Sequence, residues 1–523
     1  MNRKAMLQAL HDNLENVWDI IIIGGGATGL GTAVDAASRG YKTLLIEQSD
    51  FAKGTSSRST KLVHGGVRYL EKGDLGLVME ALVERGYMLK NAPHLTSDQE
   101  FVIPVYSWFD ALMYTAGLTF YQLLAGRLGL GKSHFISRGE VLNRLPLLNA
   151  DALKGGVVYH DGQFDDARMA VALAQTATEY GACVMNYFRV TELLKDIEGK
   201  LIGVRATDMV SGQIYNLRAK IIINATGVFA DEIHRMDHPV AKPTIRPSQG
   251  IHLVLDHSFL KSSSAVMIPK TDDRRVLFAI PWYDKVVVGT TDTPVKDVSS
   301  EPVALPEEID FILRTAGKYL LKQPSRRDVL AVFAGLRPLA ATTDDSLKTK
   351  EISRRHKITI SSSGLVTIVG GKWTTYRRMA KDVLDIALRK SELIYRKCVT
   401  LNLRVYGYDT RKNKDKFSPY GSFAAGVDML IQSDPALGEA VHPRLPYVYA
   451  EFLWIIRNEM PVTLEDILAR RTRALFLDAR AAIEAAPRVA KFMASELKLD
   501  KVWEDEQVDH FTRLANDHYL IQS

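Results

Sequence analysis

Cysteine is scarce: Cys183 and Cys398 are the two in 523 residues. No Cys-x-x-Cys pair or Cys/His cluster occurs, which excludes a zinc or iron–sulfur site built from them and suits a reducing compartment. A long apolar run is lacking as well. The stretch most like one, Phe101–Leu130, is interrupted by Pro104, Asp110 and Arg127. It leaves 16 uncharged residues between the last two, where a membrane span needs about 20. Its Trp108, Phe109, Tyr114, Phe120 and Tyr121 could mark a surface that dips into a membrane interface, but a buried helix of a substrate domain is the favoured expectation. Residues 1–18 carry no apolar segment of the signal-peptide kind and are expected to form a short helix. There is no internal repeat and no low-complexity tract. The formal charge of +6 and pI of about 8.9 are spread along the chain. That balance suits anionic substrates or an anionic membrane surface and speaks only weakly for nucleic acid. Arg470-Arg-Thr-Arg473 does not change this, because Glu465 and Asp466 precede it at the spacing of intrahelical pairs. With 46% hydrophobic and 24% charged residues, the chain has the composition of an ordinary globular protein of two to four domains.

What is present is concentrated first in Asp19–Glu47. Ile20 to Ile23 are β-branched and apolar without alternation, as in a strand buried on both faces. Gly24, Gly26 and Gly29 follow as G-x-G-x-x-G. A run of small residues to Ser38 then reads as a tightly packed helix, and Thr43–Ile46 as a second buried strand ending on Glu47. This is a complete βαβ unit of about 30 residues, the context a dinucleotide site requires. Gly24 permits the tight turn, Gly26 leaves room for a pyrophosphate, and Gly29 lets the helix pack close. The helix N-terminus offers unpaired N–H groups and a positive dipole end. Glu47, 18 residues beyond Gly29, can accept bonds from ribose hydroxyls and disfavours a 2′-phosphate. The fingerprint alone does not separate FAD from NAD.

Further along, the Ser/Thr/Gly-rich loop 54–71 is expected to wrap the cofactor. Leu75–Leu89 reads as an amphipathic helix. Gly155–His160 is a strand followed by a turn over Asp161–Asp166, then a helix over Ala167–Tyr180 and a strand near Ala182–Met185. Arg189–Asp208 looks like a hairpin, and Lys220–Gly227 is another buried strand running into a helix start. From about Pro239 to Arg337 the strands Val276–Ile280 and Val286–Thr290 face each other in an antiparallel sheet. Ile358–Ile360 and Leu365–Val369 form a late hairpin that leads into Gly370-Gly-Lys-Trp-Thr-Thr-Tyr-Arg377. Glycine motifs early, midway and late imply a cofactor domain visited three times, with FAD-domain segments near 19–72, 155–235 and 355–385. Substrate-domain segments fall near 73–154 and 236–354. Residues 386–420 read as a polar linker, with a solvated charge run at 411–416, and 421–523 as a small α-helical domain.

Gly24-Gly-Gly-Ala-Thr-Gly29, Thr55-Ser-Ser-Arg-Ser-Thr-Lys61, His64-Gly-Gly-Val-Arg-Tyr-Leu-Glu71, Asn224-Ala-Thr-Gly227, Gly289-Thr-Thr-Asp292, Gly335-Leu-Arg-Pro-Leu339 and Gly370–Arg377 together resemble the FAD-dependent glycerol-3-phosphate dehydrogenases. The resemblance continues through Arg457-Asn-Glu-Met460 and Asp466–Arg473. It implies an α/β fold: a glutathione-reductase-like FAD domain interleaved with an antiparallel-sheet substrate domain, plus the C-terminal helical domain. It implies FAD as the cofactor, oxidation of sn-glycerol 3-phosphate to dihydroxyacetone phosphate, and transfer of electrons to a membrane quinone. The similar enzymes sit peripherally on the inner face of the cell membrane, and a homodimer is compatible with the reading. The large internal insertion of the longer glycerophosphate oxidases is lacking and no EF-hand loop follows the helical domain, and by the resemblance both absences favour a bacterial quinone-linked dehydrogenase; a peroxide-forming oxidase is the alternative enzyme. A non-catalytic flavoprotein scaffold is the alternative of a different class. Trp373 stands where a Leu is expected. Arg355 and His356 stand where Asp-Tyr is expected after Arg354.

By the same resemblance, Gly24, Gly26, Thr28, Gly29, Glu47, Thr55, Ser56, Ser57, Lys61, His64, Gly65, Gly66, Ala225, Thr226, Gly227, Gly371, Lys372 and Thr374 are expected at the cofactor. Arg68, Tyr69, Arg337, Arg354 and Lys372 are expected at the substrate. Arginine meets a phosphate dianion with a planar pair of donors. Oxidation at C2 also needs a base, and one with a pKa near neutral suits the step. His252 is the first candidate and His64 the second. The helix start at Gly371–Thr375 is expected to stabilise negative charge on the reduced flavin.

Overall fold

A computed structural model describes residues 1–67, 70, 73–269, 271, 276–341, 355–411 and 415–521. Arg68, Tyr69 and Arg354 lie outside the described residues.

The first strand, Trp18–Ile23, sits near the middle of the first sheet, parallel to Thr43–Ile46 on one side and Ile214–Asn224 on the other. Its isoleucines are buried because helices cover one face and a hairpin the other. The sheet continues through Cys183–Met185 at one edge and Val366–Gly370 with its antiparallel neighbour His356–Ile360 at the other. Three separate stretches of chain therefore build one sheet. The helix Ala27–Ser38 packs on it beside Tyr376–Arg389. Arg39 ties the two helices, donating to Asp35 at 3.0 Å and Asp385 at 2.7 Å.

The second sheet is mixed and mostly antiparallel. Near one edge of it, Ile245–Asp256 pairs with Val329–Ala340 along nearly its whole length and with Lys285–Gly289 on the other side. The strand Gly155–Phe164 belongs here too. It pairs with Thr96–Val105 over ten residues and with Leu62–Val63. The expected turn at Asp161–Asp166 is therefore mostly strand, and this segment leaves the FAD sheet for the substrate sheet. Its partner lies 50 to 70 residues earlier, so local pattern does not reveal the pairing.

The C-terminal helices are not set apart. Phe476, Phe452 and Ile455 share one core with Val254, Val287, Ala331 and Phe333 on the back of the substrate sheet. The expected linker is also largely packed: Leu403 and Val405 are buried against the FAD domain, and Val405 N–H donates to the Asn91 carbonyl at 3.0 Å. The helix Trp108–Leu124 buries Ala111, Leu118 and Tyr121 but exposes Trp108, Phe109, Leu112 and Leu123 by 66–71%. The expectation of a buried helix is thus corrected: only one face has a partner.

Candidate functional site

Two adjoining clefts meet at the junction of the sheets. The first opens at the C-terminal ends of the parallel strands and is lined by Gly24, Gly26, Thr28, Glu47, Thr55, Ser56, Ala225, Thr226, Gly227, Gly371 and Lys372. Gly24 has φ +110°, and a Cβ there would lie 2.7 Å from the Ala225 carbonyl oxygen. A Cβ on Gly29 would lie 1.8 Å from the Gly24 carbonyl oxygen, so the helix can start this close only with glycine at both positions. Gly26 lies at the helix start with its missing side chain toward the Ser56 hydroxyl, 3.1 Å from where a Cβ would be. That hydroxyl accepts the Ala27 N–H at 2.9 Å. Glu47 accepts the Gly25 N–H at 2.6 Å and the Ser49 N–H at 2.9 Å, which fixes its carboxylate at the cleft. Burial pushes that carboxyl above the usual range despite these bonds. A helix N-terminus, a cradle free of Cβ atoms and an anchored acid at the end of the next strand fit an adenine dinucleotide: diphosphate at the helix, ribose hydroxyls at Glu47.

The second cleft contains Thr60, His64, Gly66, His252, Arg337, Lys372 and Thr374. It shares Thr55, Pro338, Gly371, Lys372 and Trp373 with the first. Antiparallel pairing puts Arg337 opposite Ser248. Ser248, Gly250 and His252 point to the same face of their strand because side chains alternate. Gly250 supplies the room: a Cβ there would lie 2.1 Å from Arg337 Nη2. The guanidinium is anchored by the Gln249 carbonyl at 3.0 Å, the Thr291 carbonyl at 2.8 Å and the Asp292 carboxylate at 3.1 Å. Asp292 also accepts from the Ser248 hydroxyl.

His252 is 3% exposed and stacks on its cross-strand partner Phe333, with centroids 4.9 Å apart. Its Nε2 lies 2.9 Å from the Thr60 hydroxyl, and its buried Nδ1 has no hydrogen-bond partner among the described residues. Burial holds the imidazole well below its usual pKa, and the nearby cations Lys61 and Arg337 push it lower. The expected near-neutral base is therefore, in the absence of an anion, a firmly neutral imidazole. The His64 N–H donates to the Thr374 hydroxyl at 3.3 Å, which clips the early loop to the late turn.

Not every expected cofactor residue faces the clefts. The Lys61 side chain turns away, donating to Asp166 Oδ2 and the Ser57 carbonyl at 2.7 Å each. It lies beneath the rings of Trp282, Phe333 and Phe476, and burial pushes its amine down to about 7. Ser57 is buried and its carbonyl also accepts from Arg473 at 2.8 Å. The Gly65 N–H donates to the Tyr121 hydroxyl at 2.7 Å. These three shape the loop behind the cleft rather than line it, and Gly29 lies inside the helix, against Gly24. For Ser57 and Lys61 the reason is the C-terminal domain, whose Arg473 and Phe476 occupy the space behind them, and for Gly65 it is Tyr121 of the helix Trp108–Leu124.

That domain also grips the segment just before the loop. Asp50 accepts from Arg470 Nε at 2.6 Å and Arg471 Nη2 at 2.8 Å. Lys53, at the first cleft, bridges Glu465 and Glu301, both at 2.6 Å. The expected pairing of Arg470 within its own helix exists, with Glu465 at 2.5 Å and Asp466 at 2.6 Å, but it is part of a buried network that crosses domains. The sequence pattern alone reveals no role for Thr60, Gly250 or Asp292. Thr60 and Asp292 lie inside motifs quoted above, and that is their only sequence signal.

Residues 19–377 match the FAD dependent oxidoreductase family, and residues 363–507 match the C-terminal domain of alpha-glycerophosphate oxidase. The chain is 40% identical to the human protein "Glycerol-3-phosphate dehydrogenase, mitochondrial", over 97% of this chain and 74% of that one. A mitochondrial glycerol-3-phosphate dehydrogenase of Arabidopsis thaliana is also 40% identical, over 92% of this chain and 83% of its own. The solved glycerol-3-phosphate dehydrogenase of Bacillus halodurans, complexed with FAD, superposes with a TM-score of 0.79 at 27% identity, covering 99% of this chain and 98% of that one.

Proposed function

The chain belongs to the FAD-dependent glycerol-3-phosphate dehydrogenase family, and on that premise we propose that it oxidises sn-glycerol 3-phosphate to dihydroxyacetone phosphate and delivers the electrons to a membrane quinone. The observation that carries this reading is the convergence of Arg337 and His252 on one cleft whose wall, Gly371 to Trp373, also borders the dinucleotide cleft. Bound FAD supplies the acceptor for the hydrogen on C2.

The residues do the rest. Arg337, with its plane fixed by two carbonyls and Asp292, meets the phosphate dianion, and Lys372 adds positive charge between the clefts. His252 takes the proton of the C2 hydroxyl. A dianion beside Arg337 offsets one of the cations that depress the imidazole, so substrate binding itself raises the basicity of His252. The short helical turn Trp373–Thr375 points the start of the helix Tyr376–Arg389 toward the shared wall, a position that favours negative charge. His64, clipped to Thr374, suits contact with the cofactor better than contact with C2.

The exposed apolar face of Trp108–Leu124 supports peripheral contact with the bilayer in which a quinone dissolves. No helix among the described residues is long and apolar enough to cross a membrane. The test is the visible spectrum of the purified protein under anaerobic conditions. A bound-flavin spectrum that bleaches on adding sn-glycerol 3-phosphate, and recovers with a quinone analogue, is expected. A flavin that never bleaches would leave a scaffold role, and recovery only by oxygen with stoichiometric peroxide would make the protein an oxidase.

A further inference from the structure

We propose that Thr60 carries the proton between the substrate hydroxyl and His252. The inference rests on His252 as the base. Of the two imidazole nitrogens, only Nε2 has a polar partner among the described residues, and that partner is the Thr60 hydroxyl at 2.9 Å. Nδ1 is buried. The ring is held by its stack on Phe333 and fits because Gly289 has no side chain, where a Cβ would lie 2.4 Å from His252 Cδ2. A proton therefore reaches the ring through the atom that occupies Nε2, and Thr60 lines the substrate cleft.

The step balances. The C2 O–H proton passes to Thr60 Oγ as the Thr60 proton passes to Nε2, while the C2 hydrogen leaves with its electron pair for the cofactor. The C2–O bond becomes a carbonyl, Thr60 is regenerated and His252 becomes imidazolium. The resting ring holds its proton on Nδ1. That buried N–H lacks an acceptor among the described residues in the neutral and the protonated ring alike, at a cost that is larger for the protonated ring and that the bound phosphate dianion offsets.

The loop is built to hold this hydroxyl still. Next to Thr60, Lys61 is locked to Asp166, and the Ser59 hydroxyl donates to the same carboxylate at 2.7 Å. Arg473 of the C-terminal domain closes the set through the Ser57 carbonyl at 2.8 Å and Asp166 at 3.3 Å.

Anaerobic single-turnover reduction of the holoenzyme tests the relay. Thr60→Val keeps the shape and removes the hydroxyl. It should slow flavin bleaching about 100-fold with an unchanged resting flavin spectrum, while Thr60→Ser stays within about tenfold of wild type. The wild-type rate should show a curved dependence on deuterium fraction, as two moving protons require, and any residual Thr60→Val reaction a linear one. In 15N-histidine protein, the signals lost in His252→Asn should report an unprotonated Nε2. Wild-type bleaching by Thr60→Val, equal slowing by Thr60→Ser, a linear wild-type dependence or a protonated Nε2 would each overturn the relay. If His252→Asn bleaches at the wild-type rate, the base assignment itself fails. If His252→Asn is slow and Thr60→Val is fast, only the relay fails.

Discussion

Asp50 and Arg471, 421 residues apart in the chain, form a fully buried ion pair, with Arg471 Nη2 2.8 Å from Asp50 Oδ1. Burial opposes the charge on Asp50, but Arg471 and Arg470 outweigh it and hold the carboxyl below its usual range. Asp50→Ala leaves Arg471 with the Glu459 carbonyl as its acceptor among the described residues. Breaking a buried pair on one side costs about 3–5 kcal/mol. The variant should melt at lower temperature and release flavin in the same transition. Differential scanning calorimetry with flavin fluorescence reads both, and an unchanged melt would contradict the clamp.

Arg337→Ala removes the anchored cation from the substrate cleft. A charge-assisted contact of this kind is worth about 2–5 kcal/mol, so kcat/KM for sn-glycerol 3-phosphate should fall at least tenfold while the flavin spectrum is retained. Unchanged catalytic efficiency would remove Arg337 from the phosphate site.

Gly26→Val tests the cofactor cradle without straining the turn. Gly26 has φ −86° and ψ −176°, a conformation open to valine. The branched side chain instead fills the space beside Ser56. The purified protein should be folded by circular dichroism and colourless. A yellow product with stoichiometric flavin would show that the diphosphate lies elsewhere.

Glu451 gives a pH signature. Burial pushes its carboxyl up to about 7, against hydrogen bonds from the Val448 N–H and the Tyr420 hydroxyl. The unfolded chain titrates near the ordinary value, so between that value and 7 the folded protein binds more protons and stability falls as pH rises. Glu451→Gln removes this slope. The variant should gain melting temperature relative to wild type at pH 8 and gain little or none at pH 5. A difference independent of pH would refute the assignment.

On the helix Trp108–Leu124, replacing Phe109 and Leu112 together by serine should reduce sedimentation with vesicles that contain anionic lipid. Turnover with a soluble dye should be unchanged, since neither side chain borders the clefts. Full vesicle binding by the double variant would move the membrane contact to another face.

The sequence was most legible where structure is local. Ile20–Ile23, the three glycines and Glu47 are one strand, one turn and one acid, and each lies where its spacing puts it. The late Gly370-Gly-Lys motif was legible for the same reason. Pairing over long separations was not. Gly155–Phe164 joins Thr96–Val105, and nothing within its ten residues says which sheet takes it. Arg470 and Arg471 have plausible partners one turn away, which conceals Asp50. Lys61 sits among cofactor-loop residues, yet its side chain turns to Asp166, because a buried amine follows its counter-charge rather than its neighbours. The apolar positions of Trp108–Leu124 showed a helix, but not that half of them would find no cover.

The parallel sheet has a consequence for how the protein is made. Its strands Trp18–Ile23, Ile214–Asn224 and Val366–Gly370 lie in that order, so the first, already paired with Thr43–Ile46, waits on the ribosome for a neighbour about 200 residues later, and that neighbour for one about 150 residues later still. Until Gly371 and Lys372 have left the exit tunnel, the first cleft lacks that part of its lining. A flavin that bound before that turn was made would do so without Gly371 and Lys372, and a chain stalled there keeps the edge of Ile214–Asn224 unpaired and open to aggregation.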